Sequence, residues 1–326
     1  MRSTLKIIVL VLLFAPAAVM TARAAANQPV AFTEGNFFVG PQPFPMYVEY
    51  FIPIKPIHET PLVLIHGCCT TGAGFVSTPD GREGWAKYFV QHGWKTYVVD
   101  QPGHGRSPMP QQYPTMSLQR AVDDNVALLR KIGRAIFIVH SIGGMIGWKL
   151  CDTVPDQVAA IIGVAPVPPA NMPKGSFPAA TAIGQSFVTS GPGPYLPEDK
   201  PAWYKLEVAK QAFASATLFP SEAMDQYYAS LVPESPRAVN ELMNKDGMGL
   251  TADPKKIANI PKAIITGDQD PRHPRAVDAA TAKFLGAEHI FLSDVGLPGH
   301  GHPMYLDRGN EKIAQVILDW LRKKNL

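Results

Sequence analysis

The sequence predicts an α/β fold with a mostly parallel central sheet flanked by helices. Short apolar, β-branched runs alternate with stretches of helical periodicity, the pattern of strands joined by crossover helices. Only 17% of the 326 residues are charged and 46% are hydrophobic, which suits a chain that buries a sizeable core. No internal repeat is visible, so solenoid and propeller folds are excluded. The 32 prolines, about twice the usual share, follow no Gly-X-Y period, so collagen is excluded and structured loops are expected.

Residues 1–26 read as an export signal. Met1 to Lys6 is a short basic start, Ile7 to Met20 is apolar, and Ala22-Arg23-Ala24 offers the small residues at which signal peptidases cut, after Ala24 or Ala26. A membrane anchor is the alternative, but the 14 apolar residues are broken by Pro16 and fall short of the roughly 20 that span a bilayer. The expected product is exported to the periplasm or beyond and keeps no stable membrane anchor. The formal charge of +3 belongs to this segment: Arg2, Lys6 and Arg23 lie in it with no acid, leaving 27 basic and 27 acidic residues. A neutral chain argues against nucleic acid as a partner, which needs a concentrated basic patch.

In chain order, the expected strands are Met46 to Ile54, Leu62 to Ile65, Lys95 to Val99, Ala135 to Val139, Ala159 to Val164, Lys262 to Thr266 and His289 to Leu292. Leu118 to Ile132 and Glu311 to Lys323 carry apolar residues at helical spacing. Residues 166–260 break the rhythm. Nine prolines fall between Pro166 and Pro201, and Trp203, Phe213, Phe219, Tyr227 and Tyr228 follow in helix-like segments. A long insertion with enough aromatics to pack is expected to be a lid inserted into one domain spanning 27–326.

The chemistry gathers at strand ends. Phe137-Ile138-Val139-His140-Ser141-Ile142-Gly143-Gly144 runs an apolar strand into a Ser and then into glycines that open a helix, the setting of a nucleophile elbow. The usual G-x-S-x-G pattern has glycine where Val139 stands, and a Ser between strand and helix can equally be an N-cap. Three further features decide. His66-Gly67-Cys68 follows one strand, Asp100-Gln101-Pro102-Gly103-His104-Gly105-Arg106-Ser107 follows the next, and Thr266-Gly267-Asp268-Gln269-Asp270-Pro271 and Gly299-His300-Gly301-His302 follow late strands. The order is Ser, acid, His.

With these motifs the chain resembles the α/β-hydrolase superfamily over nearly all of the mature sequence. Its adjacent Cys68 and Cys69, and the ending His302-Pro303-Met304-Tyr305-Leu306-Asp307, are similar to exported bacterial esterases with a vicinal cysteine pair in the oxyanion loop. That resemblance implies Ser141 as nucleophile and His302 as base. The group's acid, a Glu just after the strand that follows the nucleophile, has no counterpart in Gly163-Val164-Ala165-Pro166. The more widespread superfamily position implies Asp270, three residues after the Gly of its turn, with Asp268 as the alternative. The resemblance also implies a Cys68–Cys69 bond, although Cα atoms about 3.8 Å apart across a trans peptide lie below the roughly 4.4–6.8 Å of ordinary disulfides. Two small buried thiols that never pair are the competing reading.

These residue types support acyl transfer. A hydroxyl is a poor nucleophile until a neutral imidazole takes its proton, and a carboxylate must hold that imidazole in one tautomer. Main-chain N–H groups of Cys68 and Ile142 are expected to form the oxyanion hole. No cofactor is called for. The His300-x-His302 spacing could serve a metal, but no clear third and fourth ligand accompanies it. The expectation is a serine carboxylesterase acting on a small, uncharged, moderately apolar ester. A lactonase, an amidase, a C–C hydrolase and a catalytically silent ligand-binding homologue remain open.

Overall fold

The computed structural model describes residues 30–173, 183–188 and 193–326; the expected export signal lies outside them. Among the described residues the strands are β1 (Phe32–Val39), β2 (Met46–Pro53), β3 (His58–Ile65), β4 (Trp94–Asp100), β5 (Ala135–His140), β6 (Val158–Val164), β7 (Lys262–Thr266) and β8 (Glu288–Phe291). They form one sheet in the order β1-β2-β4-β3-β5-β6-β7-β8. β1, β2 and β4 pair antiparallel, and every pairing from β4 onward to β8 is parallel.

All residues of β5, β6 and β7 are buried, as strands covered on both faces must be. Because side chains alternate across a strand, Leu62, Leu64, Ile136 and Ile138 enter one core, while Val63, Ile65, Phe137 and Val139 enter the other. Helices close both layers. After the single turn α1 (Ala73–Val76) come α2 (Trp85–Gln91), α3 (Leu118–Ile132) and α4 (Ile142–Thr153); α8 (Arg275–Leu285) and α9 (Asn310–Lys323) come last. Trp85 and Phe89 of α2 join Ile313, Ile317 and Leu321 of α9 over the first core. Val122 and Leu129 of α3 pack with Ile146 of α4 and Leu285 of α8 over the second. α3 starts where Ser117 caps the Gln119 N–H at 3.0 Å and stops at Gly133, whose φ of 83° suits glycine.

The chain between β6 and β7 is the stretch expected to be an inserted lid. Its described part carries α5 (Leu206–Phe213), α6 (Met224–Ala229) and α7 (Pro236–Leu242). Aromatic residues do pack here: Tyr204, Phe213, Phe219 and Tyr227 are buried against the first core. Trp203, by contrast, is half exposed. Among the described residues no helix is long and apolar enough to cross a membrane.

Candidate active site

The loops that follow the parallel strands meet above the middle of the sheet, where open α/β sheets place their ligands. Ser141 follows β5 and precedes α4 with φ 53° and ψ −121°, a strained backbone that persists only when its surroundings over-determine it. They do so here. Its N–H donates to the Val164 carbonyl at 3.3 Å, and its own carbonyl accepts from the N–H groups of Gly144 and Val167, each at 2.8 Å. Val139, standing where the elbow pattern has glycine, is accommodated by the helix: a Cβ on Gly147 would lie 3.0 Å from Val139 Cγ1 and 2.7 Å from Ile161 Cδ1. Gly67 answers a second close approach, since a Cβ there would come within 2.5 Å of His140 Nδ1 and 2.9 Å of Ser141 Cβ.

The structure brings Ser141, His302 and Asp270 into one chain of hydrogen bonds. Ser141 Oγ lies 3.0 Å from His302 Nε2, and His302 Nδ1 lies 2.8 Å from Asp270 Oδ2. Asp270 Oδ1 accepts from the N–H groups of Arg272 at 2.8 Å and His273 at 3.2 Å. Asp268 does other work: its Oδ1 accepts from the N–H groups of Gly299 at 2.8 Å and His300 at 3.2 Å, bracing the loop that carries His302. His300 turns away to Asp307 at 3.1 Å. His140 reaches back to this loop, its Nε2 lying 3.0 Å from the His302 carbonyl.

Burial sets the protonation states. It pushes His302 below the ordinary histidine range, against the pull of Asp270; the nearby His273 and Arg272 act in the same direction as burial. The imidazole is therefore neutral near neutral pH. Burial alone would raise Asp270, but the charge and hydrogen bond of His302, with His273 and the Arg272 N–H, hold it down at about 2. The pair is thus a neutral imidazole beside a carboxylate anion. The His302 ring stacks with Phe213, at 5.4 Å and 24°, and with His273, at 5.2 Å and 19°. His273 in turn bonds to the buried Asp278 at 2.9 Å.

Cys68 and Ile142 both line the cleft beside Ser141, and among the described residues neither amide N–H is engaged elsewhere. The Cys68 loop is held from several sides. His66 Nε2 accepts the Gln101 N–H at 2.9 Å, the Gln101 amide donates to the His66 carbonyl at 2.6 Å, and Asp100 Oδ1 accepts the Gly72 N–H at 2.8 Å. From the insertion, the Val232 N–H donates to the Cys69 carbonyl at 2.9 Å. The sulfur atoms of Cys68 and Cys69 sit side by side, their Cα atoms 3.8 Å apart. Cys151 is buried away from them on α4.

Sequence reasoning missed Glu234. This buried carboxylate of the insertion bonds to His104 Nε2 at 3.2 Å. Burial opposes charge on both groups, yet each outweighs it for the other: His104 is held above its ordinary value and Glu234 below. Tyr113 donates to the Pro233 carbonyl at 3.1 Å beside them. The ion pair fastens the insertion to the loop after β4. Cys68, Cys69 and Glu234 are also the one set of three donors, among the described residues, that could approach a common cation. Two of those donors are the neighbouring sulfurs and the third is already paired to His104.

The cleft over Ser141 is mostly apolar, with Ile142, Val167, Ile183, Phe187, Phe213 and Leu242 in its walls; Arg272 supplies a guanidinium. No pattern in the sequence marks Phe213, Arg272 or His273 as site residues. Only their positions in the fold reveal them.

Comparison with known proteins bears on the family and the fold. Residues 62–316 match the alpha/beta hydrolase family. The chain is 26% identical to a probable secreted lipase from Fungal sp. over 351 aligned positions, covering 88% of this chain and 89% of that protein. It is similar in structure to a naproxen esterase from Bacillus subtilis, with TM-score 0.62, 14% identity and coverage of 93% of this chain and 96% of the esterase. A second bacterial esterase superposes with TM-score 0.58 and 20% identity, covering 91% of this chain and 97% of its own. These two structural likenesses concern the fold.

Proposed function

The chain belongs to the alpha/beta hydrolase family, its relatives support a hydrolase of the esterase and lipase kind, and we propose that it is an exported serine carboxylesterase working through an acyl-enzyme. The observation that carries this reading is the continuous hydrogen-bond chain from Ser141 Oγ through His302 to Asp270, with spacings of 3.0 and 2.8 Å.

In this mechanism His302 Nε2 takes the Ser141 proton as Oγ attacks the ester carbon. The developing oxyanion is met by the N–H groups of Cys68 and Ile142, and Asp270 stabilises the imidazolium that forms. His302 passes the proton to the leaving alkoxide, which departs as the alcohol. A water molecule then attacks the acyl-enzyme, its proton accepted by His302. The second tetrahedral intermediate collapses, the proton returns to Ser141, and the acid is released. The apolar cleft suits an ester with an apolar body.

Three further assignments belong to this reading. Residues 1–26 are removed on export, as their basic start, apolar run and Ala-x-Ala site suggest. The insertion between β6 and β7 is a lid, a role supported by its wall of Phe213 and Phe187 over the cleft. Cys68 and Cys69 are bonded in the oxidising compartment that export implies, a reading that their neighbouring sulfurs support.

Labelling by a fluorophosphonate tests the reading directly. The folded protein is expected to label at Ser141, identified by peptide mapping, and to release alcohol from simple esters; a folded protein that does neither is no serine esterase.

The pH profile is a second test. His302 works only when neutral, so activity is present above its pKa and lost as pH falls through it. Burial lowers that pKa, so the acid limb of kcat/KM is expected to have its midpoint below the ordinary value of about 6.5. A midpoint at or above that value contradicts the buried, neutral base.

A further inference from the structure

Among the described residues Arg272 has no ion-pair partner. Its guanidinium lines the same cleft as Ser141, Cys68 and His302. One of its Nη atoms donates to Ser186 Oγ at 3.1 Å and to the Tyr204 hydroxyl. Its central carbon lies 5.6 Å from the Tyr204 ring and 5.8 Å from the Phe213 ring. Among the described residues it forms no ion pair, and its Nε and other Nη have no hydrogen-bond partner. Residues 1–29, 174–182 and 189–192, which complete the chain, contain no Asp or Glu, so no carboxylate in them waits to pair with it. The nearby Asp270 is turned away, one oxygen on His302 and the other on main-chain N–H groups.

A partly buried cation with unused donors in an otherwise apolar cleft costs desolvation energy that an anion would return. The guanidinium fork matches a carboxylate in two parallel hydrogen bonds. Burial pulls Arg272 down to about 10, so it remains charged at neutral pH. Phe213 links it to the site, its ring 5.8 Å from the Arg272 central carbon and 5.4 Å from the His302 ring.

We propose that Arg272 anchors a carboxylate carried by the substrate, so that the preferred substrates are apolar esters bearing a free carboxylate, such as monoesters of dicarboxylic acids. This deepens the esterase reading and rests on it, and it replaces the uncharged substrate expected from the apolar sequence of the insertion. Arg272 acts here as a specificity residue that touches substrate away from the bond that breaks.

The test pairs matched esters: 4-nitrophenyl hemiesters of succinate, glutarate and adipate against 4-nitrophenyl butyrate, valerate and hexanoate. A second pair, 4-acetoxybenzoate against 4-tolyl acetate, places the carboxylate on the alcohol side. At least one anionic series is expected to be favoured in kcat/KM. Arg272→Gln is expected to lower that advantage about 10- to 100-fold, the scale of a hydrogen bond to a charged group, chiefly through KM. Neutral esters, compared above the acid limb because loss of the Arg272 charge also lets the His302 pKa rise, should lose much less than the anionic ones, and Arg272→Lys should recover part of the loss.

Binding of hexanoate against hexanamide, measured by calorimetry, gives a readout independent of turnover. Hexanoate is expected to bind about tenfold more tightly, and the preference should vanish in Arg272→Gln. Equal use of charged and neutral esters by the wild type overturns the proposal. So does an equal loss on both in Arg272→Gln, which makes Arg272 a strut between insertion and core, or a hexanoate preference that survives the substitution. Failure of fluorophosphonate labelling with the Arg272-dependent binding intact would reject the serine chemistry and leave the carboxylate site standing.

Discussion

Ser141→Ala is expected to lower kcat for ester hydrolysis by about 10⁶, the loss seen when a serine nucleophile that acts as a unit with its base is removed. The substitution keeps Cβ and therefore the backbone environment at φ 53°, and removes only the oxygen that lies 3.0 Å from His302 Nε2. The amides of Cys68 and Ile142 and the cleft remain, so a residual acceleration of about 10³–10⁴ over water is expected to survive. Alcohol release by purified, folded variant provides the measurement. Turnover equal to wild type would place the nucleophile elsewhere.

Asp270→Asn is expected to lower kcat by about 10⁴, and the structure supplies the reason. Asp270 Oδ1 faces the N–H groups of Arg272 and His273, while Oδ2 faces His302. An amide there turns its carbonyl to the two N–H donors and its NH2 to His302. The imidazole then accepts at Nδ1 and carries its proton on Nε2, which leaves no base for Ser141. Asp268→Asn is the control, because that residue binds Gly299 and His300 N–H groups and never the imidazole. Its main effect should be on thermal stability, with a much smaller fall in kcat. A larger kcat loss in Asp268→Asn than in Asp270→Asn would reverse the two roles.

Legibility varied with how local the cause was. β5, β6 and β7 stand out in the sequence because strands buried on both faces must be continuously apolar, as Ala135–His140, Val158–Val164 and Lys262–Thr266 nearly are. β1 escapes notice because Glu34, Gly35 and Asn36 interrupt it; it is held by pairing along its whole length with β2, a tertiary cause. α2 has only seven residues and no side-chain cap, and α8 buries Asp278, Thr281 and Ala282 beside Leu285, so neither broadcasts a strong period. The convergence of Ser141, Asp270 and His302 was readable because each follows a strand, and a parallel sheet carries such ends to one edge. Glu234, Phe213 and Arg272 have no such marker. Two belong to the insertion and the third is an ordinary turn residue until Tyr204 and Phe213 surround it.

The stacking of His302 with both Phe213 and His273 makes the insertion part of the medium that surrounds the imidazole. His273 belongs to the loop after β7 and Phe213 to the insertion. Changes in that segment can therefore retune the proton affinity of His302 without touching any residue that shares a proton. Phe213 also lines the cleft, so the same side chain couples the surroundings of His302 to the shape of the cleft.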